Sequence, residues 1–111
     1  MDSTTRKWKR IKVDVRVRMR RLDAAEAESS VVRTYELSVG GMSVYATEAL
    51  NIGTPVRAEL SLPGVEERFE VTAVVRNKRG FRLGMEFVDL AENAKVEIQR
   101  YLAVEVGVVK V

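Results

Sequence analysis

The feature that most constrains the fold is a set of short segments in which apolar and polar residues alternate one for one. In the clearest of them, residues 13–20, every odd position is apolar and every even position is charged. Successive side chains of a strand point to opposite faces, so this pattern predicts a half-buried antiparallel strand rather than a helix. Five further segments of strand character follow, at residues 31–37, 42–47, 56–62, 69–77 and 81–88.

The breaks between these segments have compositions that reverse the direction of a chain. Residues 22–30 form a polar loop, residues 51–55 and Pro63–Gly64 are turn sequences, and Lys78–Gly80 closes a hairpin. Six short strands joined in this way predict an antiparallel barrel or sandwich. A closed barrel would leave no strand edge exposed.

After the sixth segment the pattern becomes helical. Asp89 is a suitable N-cap with Glu92 at the capping-box position, and Gly107 is a suitable end. Between them runs one apolar stripe, formed by Leu90, Ala94, Ile98, Tyr101 and Leu102. We therefore predict an all-β fold, a six-stranded antiparallel β-barrel with a C-terminal α-helix packed on it. The predicted single domain covers residues 1–111, with a flexible basic arm at 1–11, the barrel at 12–88 and the helix at 89–106.

Composition narrows the classes of function. The 111 residues are 46% hydrophobic and 32% charged, as expected for one globular domain. The absence of cysteine and histidine removes thiol nucleophiles, thiolate metal sites and the most common general base. No carboxylates form a recognisable catalytic arrangement, so we expect no enzymatic activity, no metal and no cofactor. Short apolar runs and a polar N-terminus lead us to expect no membrane insertion and a cytoplasmic location.

The charge is distributed unevenly along the chain. The net charge is +3, but residues 1–21 hold nine basic and two acidic groups, a balance of +7. The other ninety residues hold ten basic and fourteen acidic groups, a balance of −4. This asymmetry indicates an anionic partner that docks at one place. A solubilising tail without a ligand is the alternative interpretation.

Two arginines within the basic arm suggest what this anion is. Arg6 and Arg10 stand four residues apart in the sequence Arg-Lys-Trp-Lys-Arg. A guanidinium donates two parallel hydrogen bonds to O6 and N7 of guanine, stacks on a base, and forms fork-shaped contacts with phosphate. The pair therefore has the chemistry to hold both the base and the phosphate of a compact nucleotide.

A second stretch, residues 36–41, complements the first. The Glu36 carboxylate can accept hydrogen bonds from the N1–H and N2–H₂ edge of guanine, and the Ser38 hydroxyl can donate to phosphate. Gly40 and Gly41 interrupt the strand pattern, because paired glycines permit backbone angles that residues with a β-carbon resist. Together the two stretches predict a guanine nucleotide site on the surface of the barrel.

With these motifs, the chain resembles the PilZ domain, the bacterial receptor module for the second messenger cyclic di-GMP. The family pattern is Arg-x-x-x-Arg, a strand, Asp/Asn-x-Ser-x-x-Gly, further strands ending in Gly-x-x-Phe, and a closing helix. This chain offers Arg6–Arg10, Glu36–Gly41, Gly84–Phe87 and the helix after Asp89. The match covers roughly residues 6–102 and resembles the stand-alone type.

The resemblance implies roles for particular residues. Arg6 and Arg10 would bind guanine and phosphate, Ser38 and Gly41 would line the floor of the site, and Gly40 would shape the turn. Members often carry a stacking residue near the end of the fifth strand, where this chain has Arg76. Binding would order the arm and create a surface for a downstream protein effector.

Glu36 is the departure from the family pattern, which has Asp or Asn there. The extra methylene displaces the carboxylate by about one bond length, and a misplaced contact of this kind costs on the order of 1–3 kcal/mol. The alternative function is therefore a PilZ-fold protein-interaction module with weakened or lost nucleotide binding. A third interpretation is a non-specific binder of nucleic acid through the basic arm, although we expect no long nucleic acid as partner.

The aromatic residues of the last strand offer no support for RNA binding. Arg79-Gly80-Phe81 has a slight similarity to the aromatic strand of the RNA-recognition fold. Residues 82–86 do not continue that similarity. We therefore expect Phe81 and Phe87 to belong to the core.

Overall fold

The structure is a computed structural model that describes residues 10–25 and 28–107. Its six strands are β1 Arg16–Arg21, β2 Ser30–Leu37, β3 Gly41–Tyr45, β4 Pro55–Ser61, β5 Arg68–Arg79 and β6 Arg82–Asp89, followed by the helix α1 Glu92–Glu105. All neighbouring strands are antiparallel, and they close into a barrel in the order β1-β2-β3-β6-β5-β4. The predicted barrel with a C-terminal helix is confirmed, and the sandwich is excluded.

The core follows the alternation in the sequence. Val13, Val15, Val17 and Met19, the odd positions of the first segment, are all buried, whereas the even positions between them are exposed. The predicted inward positions of β4 and β5 are buried in the same way. The barrel interior is therefore filled by side chains, and ligands must bind to its outer surface or its ends.

One polar residue in this core ties the segment before β1 to β2. Thr34 is only 3% exposed, and its hydroxyl accepts a hydrogen bond from the Val15 amide at 2.9 Å while donating to the Val13 carbonyl. Further towards the N-terminus, Ile11 and Leu37 exchange two backbone hydrogen bonds of 2.9 Å. The predicted arm of residues 1–11 is thus already docked on β2 at Ile11. Residues 1–9 lie outside the described part.

The helix carries the predicted stripe but begins later than predicted. Ala94, Ile98 and Leu102 are buried, and Leu90 and Tyr101 pack against the core. The prediction that Asp89 is the N-cap is wrong, because β6 continues to Asp89 and Ala91 is the N-cap. The Asp89 carboxylate instead accepts a hydrogen bond from the Thr72 amide on β5, at 2.9 Å. The chain leaves the helix at Gly107, where φ is 80°, as predicted.

Phe81 also differs from its prediction. Its side chain is 70% exposed, whereas Phe87 packs against the core as expected. Phe81 is an odd-numbered position like the buried Leu83 and Met85. However, it precedes Arg82, the first residue of β6, and lies in the turn that joins β5 to β6. The alternating pattern therefore holds within β6, but position 81 lies outside the barrel wall.

No helix in the described residues is long and apolar enough to cross a membrane.

Candidate functional site

The turn between β2 and β3 is closed by Ser38. Its hydroxyl accepts hydrogen bonds from the amides of Gly40 at 3.0 Å and Gly41 at 3.2 Å, and its own amide donates to the Gly41 carbonyl at 2.9 Å. Ser38 is only 2% exposed. The hydroxyl that was predicted to face phosphate is therefore engaged within the turn, where it fixes the position of the two glycines.

Gly41 is required by a close approach between strands and not by its backbone angles. Neither Gly40 nor Gly41 has a positive φ, so the predicted reason for these glycines is wrong. A β-carbon at position 41 would collide with the Met85 carbonyl oxygen and lie 3.0 Å from Nη2 of Arg10. The missing side chain allows β6 and the Arg10 guanidinium to lie against the strand.

Arg10 lies across this glycine. Its Nη1 donates to Oγ of Ser43 at 3.0 Å, and its Nη2 donates to the Met85 carbonyl at 3.4 Å. The adjacent Ile11–Leu37 bridge fixes the backbone from which the side chain extends. The structure therefore brings Arg10 and Gly41 together, as predicted, and adds Ser43, which the sequence motif did not include.

Glu36 reaches the same place through an irregularity in β2. The β2–β3 register shifts between Thr34 and Glu36, which leaves Tyr35 as the additional residue of a bulge. Bulges redirect side chains. After the bulge Glu36 is paired with Ser43, the residue that Arg10 contacts. Glu36 and Arg10 thus both neighbour Ser43.

Arg76 joins the site from the opposite side. It lies where the β5–β6 register shifts between Val75 and Asn77, and its Nε donates to Oε1 of Glu86 at 2.8 Å. Glu86 is the direct cross-strand neighbour of Gly41. The predicted stacking residue therefore holds a carboxylate that the sequence analysis missed, although Glu86 is part of the Gly84–Phe87 motif. Arg6 lies outside the described residues.

An aromatic cluster borders this group on the outer face of the barrel. The rings of Tyr35 and Tyr45 meet edge to face, with their centroids 5.6 Å apart. The Arg82 guanidinium lies 4.4 Å from the Tyr35 centroid, and the Lys12 ammonium lies 5.6 Å from it. An open depression of about 440 Å³ beside the two tyrosines is lined in part by Lys12 and Arg33. Tyr45 is two residues from Ser43, so the depression adjoins the Arg10 contact.

Taken together, the outer surface around Gly41 presents guanidinium groups from two directions, two carboxylates and flanking aromatic rings. These groups suit a planar, anionic, hydrogen-bonding ligand. Among the described residues, no three carboxylate, imidazole or thiol side chains come together in a way that could hold a metal ion.

A model of one protein family matches nearly the whole chain. The family model described as "PilZ domain" matches residues 4–104. No curated protein sequence matches the chain.

Solved structures with the same fold include proteins of different lengths. The motility inhibitor MotI/DgrA of Bacillus subtilis is 21% identical with a TM-score of 0.73, and the match covers 91% of this chain and 51% of that one. The chain thus spans about half of that protein. The PilZ domain of CeSA from a cellulose-synthesizing bacterium is 21% identical with a TM-score of 0.65, covering 87% and 98%. The PilZ domain of Escherichia coli YcgR, solved with cyclic di-GMP, is 20% identical with a TM-score of 0.70, covering 94% of each.

Proposed function

The chain belongs to the PilZ domain family, and on that premise we propose that it is a non-enzymatic receptor for cyclic di-GMP that acts on a partner protein. The observation that carries the proposal is the placement of Arg10 over Gly41, within contact of Ser43 and beside Glu36. Two of the solved relatives, both of YcgR, contain cyclic di-GMP, and another is named as an inhibitor of motility. Each supports one half of the proposal.

The chemistry of the site matches this ligand group by group. Arg10 and Arg76 supply guanidinium groups for guanine and phosphate, and Glu36 supplies an acceptor for the guanine N1–H and N2–H₂ edge. Gly41 leaves room for a base or phosphate to approach the backbone. Ser38 supports the site by fixing the turn between β2 and β3. The Gly40 carbonyl accepts a hydrogen bond from the Phe87 amide at 2.9 Å, which ties this turn to β6.

The predicted arm also contains Arg6, the other arginine of the Arg-x-x-x-Arg motif. The Ile11–Leu37 bridge anchors its C-terminal end on the barrel. Four extended residues span at most about 14 Å, so the Arg6 backbone stays within that distance of Arg10. Arg6 can therefore close over a ligand held at Gly41. Ordering of the arm by the ligand would then present a new surface to the partner protein.

Calorimetric titration with cyclic di-GMP tests the proposal. We expect binding by the unaltered chain, and a loss of about a hundredfold or more in Arg10→Ala, because a charge-assisted contact in the centre of the site is removed. Arg18→Ala is the matched control, since Arg18 lies outside the site, on β1 near Glu59. Equal losses in both variants would indicate simple charge attraction, and no heat at high micromolar ligand would refute the receptor.

Glu36 supports a second candidate function, a PilZ-fold interaction module whose nucleotide binding is weakened or lost. Glu36 lies next to the contact between Arg10 and Ser43, where its longer side chain changes the reach to guanine. Glu36→Asp separates the two. A tenfold or larger gain in affinity would indicate a weakened receptor, whereas continued absence of binding would favour the interaction module.

A further inference from the structure

Among the strand pairs that the structure describes, arginines face each other across strands at three places. The pairs are Arg16–Arg33, Arg20–Arg57 and Arg79–Arg82. Like charges directly opposite each other are destabilising. Two pairs are relieved by carboxylates, since Arg33 contacts Asp14 at 2.7 Å and Arg57 contacts Glu70 at 3.1 Å. Within the part of the chain that the structure describes, neither Arg79 nor Arg82 lies within ion-pair distance of a carboxylate.

This third pair flanks the most exposed large apolar side chain of the described residues. Phe81 is 70% exposed and lies between the two arginines in a turn that Gly80 makes with φ 61°. Lys78, also exposed, adds a third cation next to Arg79. We call residues 78–82 the basic tip. A large apolar ring that is mostly exposed and flanked by cations without carboxylate partners has the chemistry to contact a surface that is anionic outside and apolar within.

We propose that the basic tip docks on an anionic lipid surface. The exposed Lys78 and Arg79 side chains would lie among the acidic headgroups, and the Phe81 ring would enter the boundary between headgroups and acyl chains. Such contact is peripheral and differs from the membrane-spanning insertion that the sequence argues against. Lys78, Arg79 and Phe81 lie outside the nucleotide site, which is built around Gly41, whereas Arg82 also contacts the Tyr35 ring that borders that site.

The shape of the basic tip favours a lipid surface over other anions. A two-residue turn is convex, and a bilayer accepts a convex apolar group anywhere on its surface without a matching pocket. A single-stranded nucleic acid requires a basic groove with successive aromatic platforms. The basic tip itself offers a single ring, Phe81, and one face of the nearby Tyr35 ring is occupied by Arg82 at 4.4 Å.

A tryptophan placed at the tip reports insertion directly. The chain contains one tryptophan, Trp8, so the reporter is the double variant Trp8→Phe, Phe81→Trp. We expect its emission to shift to the blue with phosphatidylglycerol vesicles and to stay unchanged with phosphatidylcholine vesicles. A single myristoyl chain binds membranes with an association constant of only about 10⁴ M⁻¹. Binding through the tip should be weaker, so the titration must extend to about 5 mM accessible lipid.

Val96 provides the matched reporter position. It is 42% exposed on α1, which follows β6, and β6 leads away from the tip for eight residues, or about 25 Å. Trp8→Phe, Val96→Trp should show no blue shift with either lipid. A shift at both positions would indicate non-specific adsorption and would refute docking through the tip. The absence of a shift at position 81 would refute it as well.

Charge reversal tests the cations separately from the ring. In vesicle sedimentation, Arg79→Glu should lower partitioning into phosphatidylglycerol by about 25-fold, at about fivefold for each unit of charge. Arg68→Glu makes the same change at the other end of β5 and should have little effect. Equal losses would show that only net charge matters and would overturn the proposal. Stronger binding to single-stranded DNA than to vesicles, lost with Arg79→Glu, would assign the basic tip to nucleic acid instead.

Discussion

Replacement of Gly41 by alanine tests whether the close approach of β3 and β6 determines the architecture of the site. The added β-carbon meets the Met85 carbonyl oxygen, a backbone atom that cannot rotate away, and lies 3.3 Å from the Glu86 α-carbon. Inserting a methyl group into a packed contact costs about 1–3 kcal/mol. The immobile neighbour places Gly41→Ala at the upper end of that range, at about 2–3 kcal/mol. For a domain of this size, that lowers Tm by about 8–12 °C.

Gly84→Ala is the control on the neighbouring strand. Its added β-carbon also meets crowded atoms, within 2.8 Å, but these belong to the end of the Asn77 side chain. Asn77 is exposed and can rotate, so the expected cost is below about 1 kcal/mol. Thermal denaturation followed by far-UV circular dichroism measures both variants. If Gly84→Ala lowered Tm as much as Gly41→Ala, the distinction between backbone and side-chain neighbours would be wrong.

Two further predictions concern the core and the helix. Thr34→Val should lower the free energy of unfolding, measured by urea titration, by about 2–4 kcal/mol. The reason is that it leaves the Val15 amide and the Val13 carbonyl buried without their partner. Thr34→Ser keeps the hydroxyl and should lower the free energy of unfolding far less. Partial burial raises the pKa of Tyr101, with a smaller contribution from Glu105. The folded state therefore retains this proton when the unfolded chain releases it near pH 10, so stability should fall as pH rises above about 10. Tyr101→Phe should reduce that fall, and an unchanged pH dependence would contradict the assignment.

The features that could be predicted from the sequence are those with a local period. Alternation every second residue identified the strands and their inward faces, and the stripe at i, i+4 and i+8 identified the buried face of α1. Local signals failed where a tertiary contact outcompeted them. Asp89 has the sequence context of a helix cap, but the backbone amide of Thr72 binds its carboxylate.

The contacts of the site could not be predicted, because they depend on register between distant segments. Arg10 contacts Ser43 and Met85, which are 33 and 75 residues away in sequence. The position of Glu36 opposite Ser43 depends on a one-residue bulge that no composition signal marks. The motif resemblance named Arg10, Glu36 and Gly41 as parts of one site without specifying how they meet. Ser43 and Glu86, whose roles arise only from pairing, were therefore missed.

The two described arginines of the site should respond differently to substitution, because they are held differently. The Arg76–Glu86 ion pair is about half exposed on both sides, and pairs of this kind contribute about 0–1 kcal/mol to stability. A ligand phosphate can replace Glu86 at little cost, so loss of Arg76 should reduce binding and leave Tm almost unchanged. Arg10 is partly buried, reaches a backbone carbonyl and covers Gly41. Its loss should therefore reduce both binding and stability. It follows that reduced binding in Arg10→Ala reports a ligand contact only at temperatures where the variant is still folded.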